Sequence, residues 1–304
     1  VTEAATELRA DSASKERTVA VLTAYRPTAS LAVTVASAEQ QCAKVIVVDN
    51  TPDGYVSAQD ILDGIPGITI LRSAGNIGLA AALNRGVGAS GDSEFIFFLD
   101  QDSVPEAPMV ARLTALLDAD PTRGIAAPAP WDAAAERYLD PRTAARPTVA
   151  RMRVVITSAM LLRRRAWEQT RGMREEFFVD CVDQDLCLQI RQAGWEIVQD
   201  KSVLLPHSLG ESRWYGVGRL KLRATHHPQW RLYWVARNGV TLSREFFWFD
   251  PKWSTTNLAI LVYWFITVVV FEPPRLRRAR VMLHGMLDAM RRRRDARHLP
   301  EPAT

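Results

Sequence analysis

Short apolar runs recur through the first hundred positions, each ending in polar residues, and helical stretches separate them. Thr18–Thr23 (TVAVLT), Lys44–Val48, Ile68–Leu71 and Phe95–Leu99 read as buried strands. Residues 28–41, about 56–63 and about 78–88 read as the helices between them. Pro105 sits where a further helix would take proline at its first position. This alternation predicts an α/β fold with a mostly parallel, Rossmann-like sheet flanked by helices. Further on, Gly124–Pro128 and Arg153–Leu161 have strand character, and 129–150 reads as a loop or hairpin over the strand ends. Asp183–Ala193 reads as a helix stopped by Gly194, Val203–Leu205 as a short strand, and Gly210–Gly218 as a loop. Beyond about 218 the pattern turns helical and aromatic, then basic. The expected divisions are a mobile tail over 1–17, an α/β domain over 18–217, a helical, basic, membrane-associating or dimerising region over 218–298 and a tail over 299–304.

Composition adds little to this picture until charge is followed along the chain. The 304 residues are 47% hydrophobic and 24% charged, enough for a full α/β core with an added subdomain. Net charge is only +4, yet Pro273–His298 carries nine Arg against Asp288 and Asp295. The remainder is near neutral or slightly acidic, which argues against a nucleic-acid footprint over the main body. Cys42, Cys181 and Cys187 fit no zinc spacing and read as reduced cytosolic thiols. The first 18 residues lack the apolar core of a signal peptide.

Candidate chemistry gathers where strands end. In open α/β sheets ligands bind beyond the carboxyl ends of the strands. Asp100-Gln101-Asp102-Ser103 follows the most apolar strand, and two clustered carboxylates suit Mg²⁺ or Mn²⁺ together with substrate phosphates. Thr23, Tyr25 and Arg26 follow the first strand, Asp49 ends the second, and Asn76 follows the third. Asp49 could accept from a pyrimidine ring N–H, and Tyr25 or Pro27 could cover a base. Gly86-Val87-Gly88-Ala89-Ser90-Gly91 matches GxGxxG, but a helix precedes it and a strand follows, the reverse of a dinucleotide site. It reads as a helix stop. Asp100–Val104 also resembles the opening motif of haloacid-dehalogenase-type phosphatases, although that motif normally begins its fold and three strand–helix units precede it here.

Val47-Val48-Asp49-Asn50, Asn76 to Gly86 (NIGLAAALNRG) and Phe98-Leu99-Asp100-Gln101-Asp102-Ser103 together resemble the family 2 glycosyltransferases. The Asp-Gln-Asp-Ser version is similar to the bacterial rhamnosyltransferase branch that uses dTDP-L-rhamnose. The resemblance covers about 18–245. It implies the A-type glycosyltransferase fold, a metal-dependent nucleotide-sugar site and inversion at the anomeric carbon. It further implies that Asp102 and His207 hold Mg²⁺ or Mn²⁺. Thr23, Tyr25, Arg26, Asp49, Asn76, Asp100 and Gln101 would position the nucleotide sugar. In Asp180-Cys181-Val182-Asp183-Gln184-Asp185, Asp183 matches the family's catalytic base, with Asp185 the alternative; either carboxylate could instead cap the helix. Arg213 and Trp214 could meet the diphosphate or acceptor, and Arg237 and Asn238 face either a phosphate or a buried network. A family 2 enzyme using another donor such as UDP-galactofuranose has the same logic, and an inactive nucleotide-sugar-binding protein would keep donor binding alone.

Leu258–Phe271 is a run of 14 residues without a charge, shorter than the about 20 needed to span a bilayer. It reads as a core or homo-oligomer helix, or as an interfacial segment. Arg275, Arg277, Arg278, Arg280 and Arg291–Arg294 follow it, a composition that binds anionic lipid headgroups. The favoured expectation is peripheral attachment to the cytoplasmic leaflet, which suits a polyprenyl-linked saccharide acceptor.

Overall fold

The computed structural model describes residues 11–206, 213–217, 220–295 and 298–300. The chain forms two compact units, one from residues up to 174 together with 186–206, the other from 175–185 together with the residues after 208.

Among the described residues, the first unit begins with helix α1 (residues 11–17), which lies within the stretch expected to be a tail. It continues through β1 (Thr18–Ala24), α2 (Ser30–Gln41), β2 (Lys44–Asp49), α3 (Ala58–Leu62), β3 (Ile68–Arg72), α4 (Leu79–Gly88) and β4 (Phe95–Asp100). Then come α5 (Met109–Asp118), β5 (Arg123–Asp132), β6 (Arg137–Tyr138), β7 (Val149–Arg151), β8 (Met160–Arg163) and α6 (Arg164–Trp167). Helix α7 (Val182–Gln192) crosses the division between the units, and β9 (Glu196–Pro206) completes the first. The strands form one sheet in the order β3-β2-β1-β4-β8-β5-β9-β7, with β6 on β5. It is parallel through β3, β2, β1 and β4; β8 then enters antiparallel between β4 and β5. The sheet is therefore mixed, with its parallel half holding the predicted strand ends.

Period-two alternation fills both faces of that half. Ala20, Leu22, Val45, Val47, Phe95, Phe97 and Leu99 pack with α2 and α5 on one side. Val19, Ile46 and Val48 meet Ala82 of α4 on the other. Both faces being covered explains why these strands read as nearly continuous apolar runs.

Several boundaries differ from the sequence expectation. Pro105 does not open a helix; α5 starts at Met109. The Pro105 carbonyl instead accepts from Ser37 Oγ (2.5 Å) and Gln41 Nε2 (2.6 Å), which holds the segment after β4 against α2. The strand expected over Arg153–Leu161 is confined to β8, and residues 152–159 are irregular. The short strand expected at Val203–Leu205 is the end of the 11-residue β9.

Helix α4 ends at Gly88, inside the Gly86–Gly91 segment that reads as a helix stop, but Gly86 itself has a different constraint. It lies inside α4, where an added Cβ would collide with Cγ1 of Val21 and approach Cγ2 of Val48 to 3.2 Å. The glycine lets α4 lie against the sheet; the helix ends two residues later, at Gly88, where nothing lies within 4 Å of an added Cβ. Gly86→Ala is expected to lower unfolding free energy by about 1–3 kcal/mol through overpacking. Gly88→Ala is expected to leave it unchanged or raise it by up to about 1 kcal/mol. Denaturant titration of both variants checks this, and equal effects would refute the close-approach role.

The second unit holds an antiparallel pair, β10 (Arg213–Val217) where a loop is expected and β11 (Leu220–Ala224) where the pattern predicts helix. Helices α8 (Gln229–Glu245), α9 (Pro251–Phe271) and α10 (Arg275–Met290) follow. Phe178, Leu232, Tyr233, Trp234, Val268 and Met282 form its core. Helix α9 takes in seven residues ahead of the uncharged run, so at 21 residues it reaches about 31 Å at 1.5 Å per residue. By length and composition it could cross a membrane, and only 22% of its apolar window is buried.

Candidate functional site

Strand register brings the predicted nucleotide residues to one edge. Ala24 pairs with Asp49, Thr23 with Asp100, and Asp49 with Arg72, so the ends of four adjacent strands lie level. Gln101 ties two of them together, its Oε1 accepting from Tyr25 N (2.8 Å) and its backbone carbonyl from Thr34 Oγ1 (3.1 Å).

Asp49 is fully buried and organises the edge. Its Oδ1 accepts from Thr51 N (2.9 Å), and its Oδ2 accepts from Ala58 N (3.0 Å) and from Arg72 Nη1 (2.7 Å). Three of about four acceptor positions are thus filled, which limits the direct base contact expected of it. The hydrogen bond to Asp49 raises the Arg72 guanidinium pKa above its ordinary value. The amide of Ala58 is the first of α3, whose start is closed by a capping box between Ser57 and Asp60.

Arg26 has a left-handed backbone (φ 48°) and donates its N–H to Thr51 Oγ1 (3.0 Å). Its guanidinium lies over the rings of Tyr55 (4.0 Å) and Tyr25 (5.2 Å). Arg26 Nε and the Tyr55 hydroxyl are buried without a hydrogen-bond partner among the described residues. Orphaned polar atoms at the ends of parallel strands are what a bound ligand would satisfy. Asn76 accepts from Gly78 N (3.0 Å) and so shapes the turn into α4. Within the same motif, Asn84 brackets Met173, donating to its carbonyl and accepting from its N–H, both at 2.9 Å.

The two carboxylates after β4 are in different states. Asp100 is half-buried and accepts from Ser158 Oγ, which also approaches Ser103 Oγ at 3.4 Å. Asp102 is exposed and makes no hydrogen bond or ion pair with the described residues. No cluster of three His, Cys, Asp or Glu occurs among the described residues. His207 lies outside them. The donor set fits a hard cation nonetheless, because Mg²⁺ is commonly held by one or two carboxylates plus substrate phosphates.

The acidic segment belongs, through Asp185, to the second unit. Asp183 is half-buried in the first turn of α7, with Oδ1 accepting from Gln184 N (2.8 Å); Asp185 is fully buried. Ahead of them, Asp180 (φ 62°) and Cys181 (φ 61°) are both left-handed, each at a cost of about 1–3 kcal/mol. Side chains from α8 hold that conformation. Asn238 Nδ2 donates to the carbonyls of Val179 (2.9 Å) and Asp180 (3.0 Å), and Arg231 grips both Asp180 oxygens at 2.8–3.1 Å. Arg237 is buried and donates to the carbonyls of Glu176 (2.8 Å) and Arg293 (2.9 Å). Of the two roles expected for Arg237 and Asn238, these bonds are those of the buried network. Arg213 and Trp214 lie in β10, paired with Ala224 and Arg223.

All three cysteines are free thiols. Burial raises the Cys42 pKa to about 12 and that of Cys181 well above the ordinary value, so neither is an activated nucleophile.

Arg72, Tyr55, Ser158, Arg231 and Thr51 were not singled out from sequence. Arg72 alone left a legible sign, as the charged residue closing a strand that ends level with the others.

Residues 19–169, from β1 past α6, match the family model described as Glycosyl transferase family 2. The dTDP-rhamnosyl transferase RfbF of Shigella flexneri is 25% identical over 241 residues, 74% of this chain and 79% of that protein. The mannosyltransferase PcManGT from Pyrobaculum calidifontis, solved with GDP-Man and Mn²⁺, superimposes with a TM-score of 0.58 at 14% identity. That match covers 92% of this chain and 88% of the other. S. aureus TarS 1-349 gives 0.57 at 11% identity, over 91% and 82%. GalNAc-T7 with UDP, GalNAc and Mn²⁺ gives 0.51 at 13% identity, over 63% of this chain and 44% of that one. The three structures share the fold of a mixed sheet flanked by helices, and the family match sets aside the phosphatase reading. The level strand ends, the acidic turn after β4 and the matched segment point the same way: residues 19–169, just under half of the chain, are similar to glycosyltransferase family 2.

Proposed function

We propose that the protein is an inverting, metal-dependent glycosyltransferase that moves L-rhamnose from dTDP-L-rhamnose to a hydroxyl of a saccharide or polyprenyl-diphosphate-linked acceptor. The observation that carries the reading is Asp102, an exposed carboxylate without a partner among the described residues, two residues beyond the level edge formed by Asp49, Arg72 and Asp100. Similarity to the Shigella rhamnosyl transferase supports the choice of donor.

In this mechanism Asp183 takes the proton of the acceptor hydroxyl as its oxygen attacks the anomeric carbon. The new C–O bond forms as the bond to the diphosphate breaks, and the electron pair leaves on the diphosphate oxygen. Asp102, with His207, would hold Mg²⁺ or Mn²⁺, whose charge offsets that building on the leaving group. Asp100 faces the ribose side, its orientation fixed by Ser158. Tyr25, Arg26 and Tyr55 cover the base, while Thr23, Asn76 and Gln101 shape the cradle. Residues 218–298 keep the protein at the inner face of the plasma membrane, where a lipid-linked acceptor is presented.

Thermal-shift titration with dTDP, UDP and GDP, each with and without Mn²⁺, tests the donor. The expected result is a metal-dependent rise in melting temperature that is largest for dTDP. A preference for UDP would move the donor to a uridine-linked sugar such as UDP-galactofuranose, and nucleotide binding without turnover on any acceptor would leave a binding protein.

A further inference from the structure

Among the described residues, the backbone of the basic end is anchored while its side chains stay exposed. Two of the described residues after Met290 are tied to α8, where Arg237 holds the Arg293 carbonyl (2.9 Å) and Trp234 Nε1 donates to His298 O (3.1 Å); Arg293 N closes the end of α10 on Asp288 O (3.0 Å). Arg244 Nη1 donates to Ala289 O (2.5 Å), which brings the end of α8 to the end of α10. The result is a cleft of about 350 Å³ lined by Arg237, Arg244, Arg292, Arg293 and Arg294, against Glu176 and Glu245. Its lining carries an excess of three positive charges over residues of the second unit alone. Arg294 is 82% exposed and Arg292 is exposed as well, so both guanidinium groups reach solvent.

The surface beside this cleft is apolar. Trp248, in the turn four residues past Arg244, is 91% exposed. Leu276, Leu283, Leu287 and Met290 are exposed at helical spacing along α10 and lead directly to Arg291. Arg275, Arg277 and Arg280 flank that stripe. Arg278 does not join them, because it is buried against Glu272 and the His227 carbonyl.

We propose that this cleft binds the phosphate of an anionic membrane lipid, with Trp248 and the α10 stripe lying in the adjoining interface. The proposal rests on reading the helical region as the part that meets the membrane. A soluble phosphate would need the arginines alone; the exposed indole and apolar stripe beside them point to a lipid surface.

The test is co-sedimentation of the full chain with phosphatidylcholine vesicles, with and without about one-third phosphatidylglycerol. Wild type is expected to bind the anionic vesicles alone. The double variant Arg292→Glu/Arg294→Glu should weaken that binding by at least about 25-fold, or about fivefold for each charge removed. Trp248→Ala should weaken it severalfold. All three changes are at exposed side chains, so melting temperature and the nucleotide-induced thermal shift should stay at wild-type values. Equal binding to neutral vesicles, or anionic binding unchanged in the double variant, would overturn the proposal. So would a pyrophosphate-induced thermal shift that the double variant abolishes in a protein with no vesicle affinity. Vesicle binding retained in a protein that binds no nucleotide would leave the cleft standing and remove the donor reading instead.

Discussion

Asp183→Asn should leave nucleotide-sugar binding intact and reduce transfer by about 10²–10⁴-fold, the usual range for losing a general base. The amide keeps the size of the side chain and can still accept from Gln184 N, so the first turn of α7 is retained. What it loses is the capacity to take a proton from the acceptor hydroxyl. Asp185 provides the contrast. Being fully buried, it should respond to the same substitution mainly by losing stability. Two readouts separate the roles: turnover at saturating donor and acceptor, and the nucleotide-induced thermal shift. Near-normal turnover in Asp183→Asn would sink the base assignment whatever the stability of the variant.

The position of the Asp183 carboxylate depends on residues far away in sequence. Left-handed Asp180 and Cys181 form no favourable conformation by themselves. They persist because Asn238 holds the carbonyls of Val179 and Asp180 while Arg231 holds the Asp180 carboxylate. The preference for an ionised carboxylate at a helix start is local and can be read from sequence. The turn that delivers it there is not.

The same division runs through the rest of the molecule. Buried strands such as Val45–Val48 and Phe95–Leu99 are legible because both faces are covered and their composition says so. The convergence of Tyr25, Asp49 and Asp100 follows from strand order, and register places them level. The antiparallel entry of β8 is not legible, since Met160–Arg163 carries no signal of direction. The helix stop within Gly86–Gly91 is legible, but the constraint on Gly86 itself is the side chain of Val21, 65 positions earlier. Arg72 and Ser158 belong to the edge only through partners 23 and 58 residues away. The buried hydrogen bonds of Arg237 and Asn238 run to carbonyls about 60 residues away, which no local pattern announces.

Asp102→Asn should abolish the effect of Mn²⁺ on nucleotide binding and lower transfer by about 10³-fold, the scale of several kcal/mol of charge stabilisation at a leaving diphosphate. The substitution suits the test because Asp102 is exposed and has no protein partner among the described residues, so nothing in the fold depends on its charge. Asp100→Asn does not separate the roles so cleanly, since it also disturbs the hydrogen bond to Ser158. In metal-free solution, wild type and Asp102→Asn should show the same small nucleotide-induced thermal shift. Adding Mn²⁺ should enlarge the shift in wild type only. A full Mn²⁺ response in the variant would mean that the cation is held elsewhere, and the acidic turn after β4 would lose the role that organises the rest of the site.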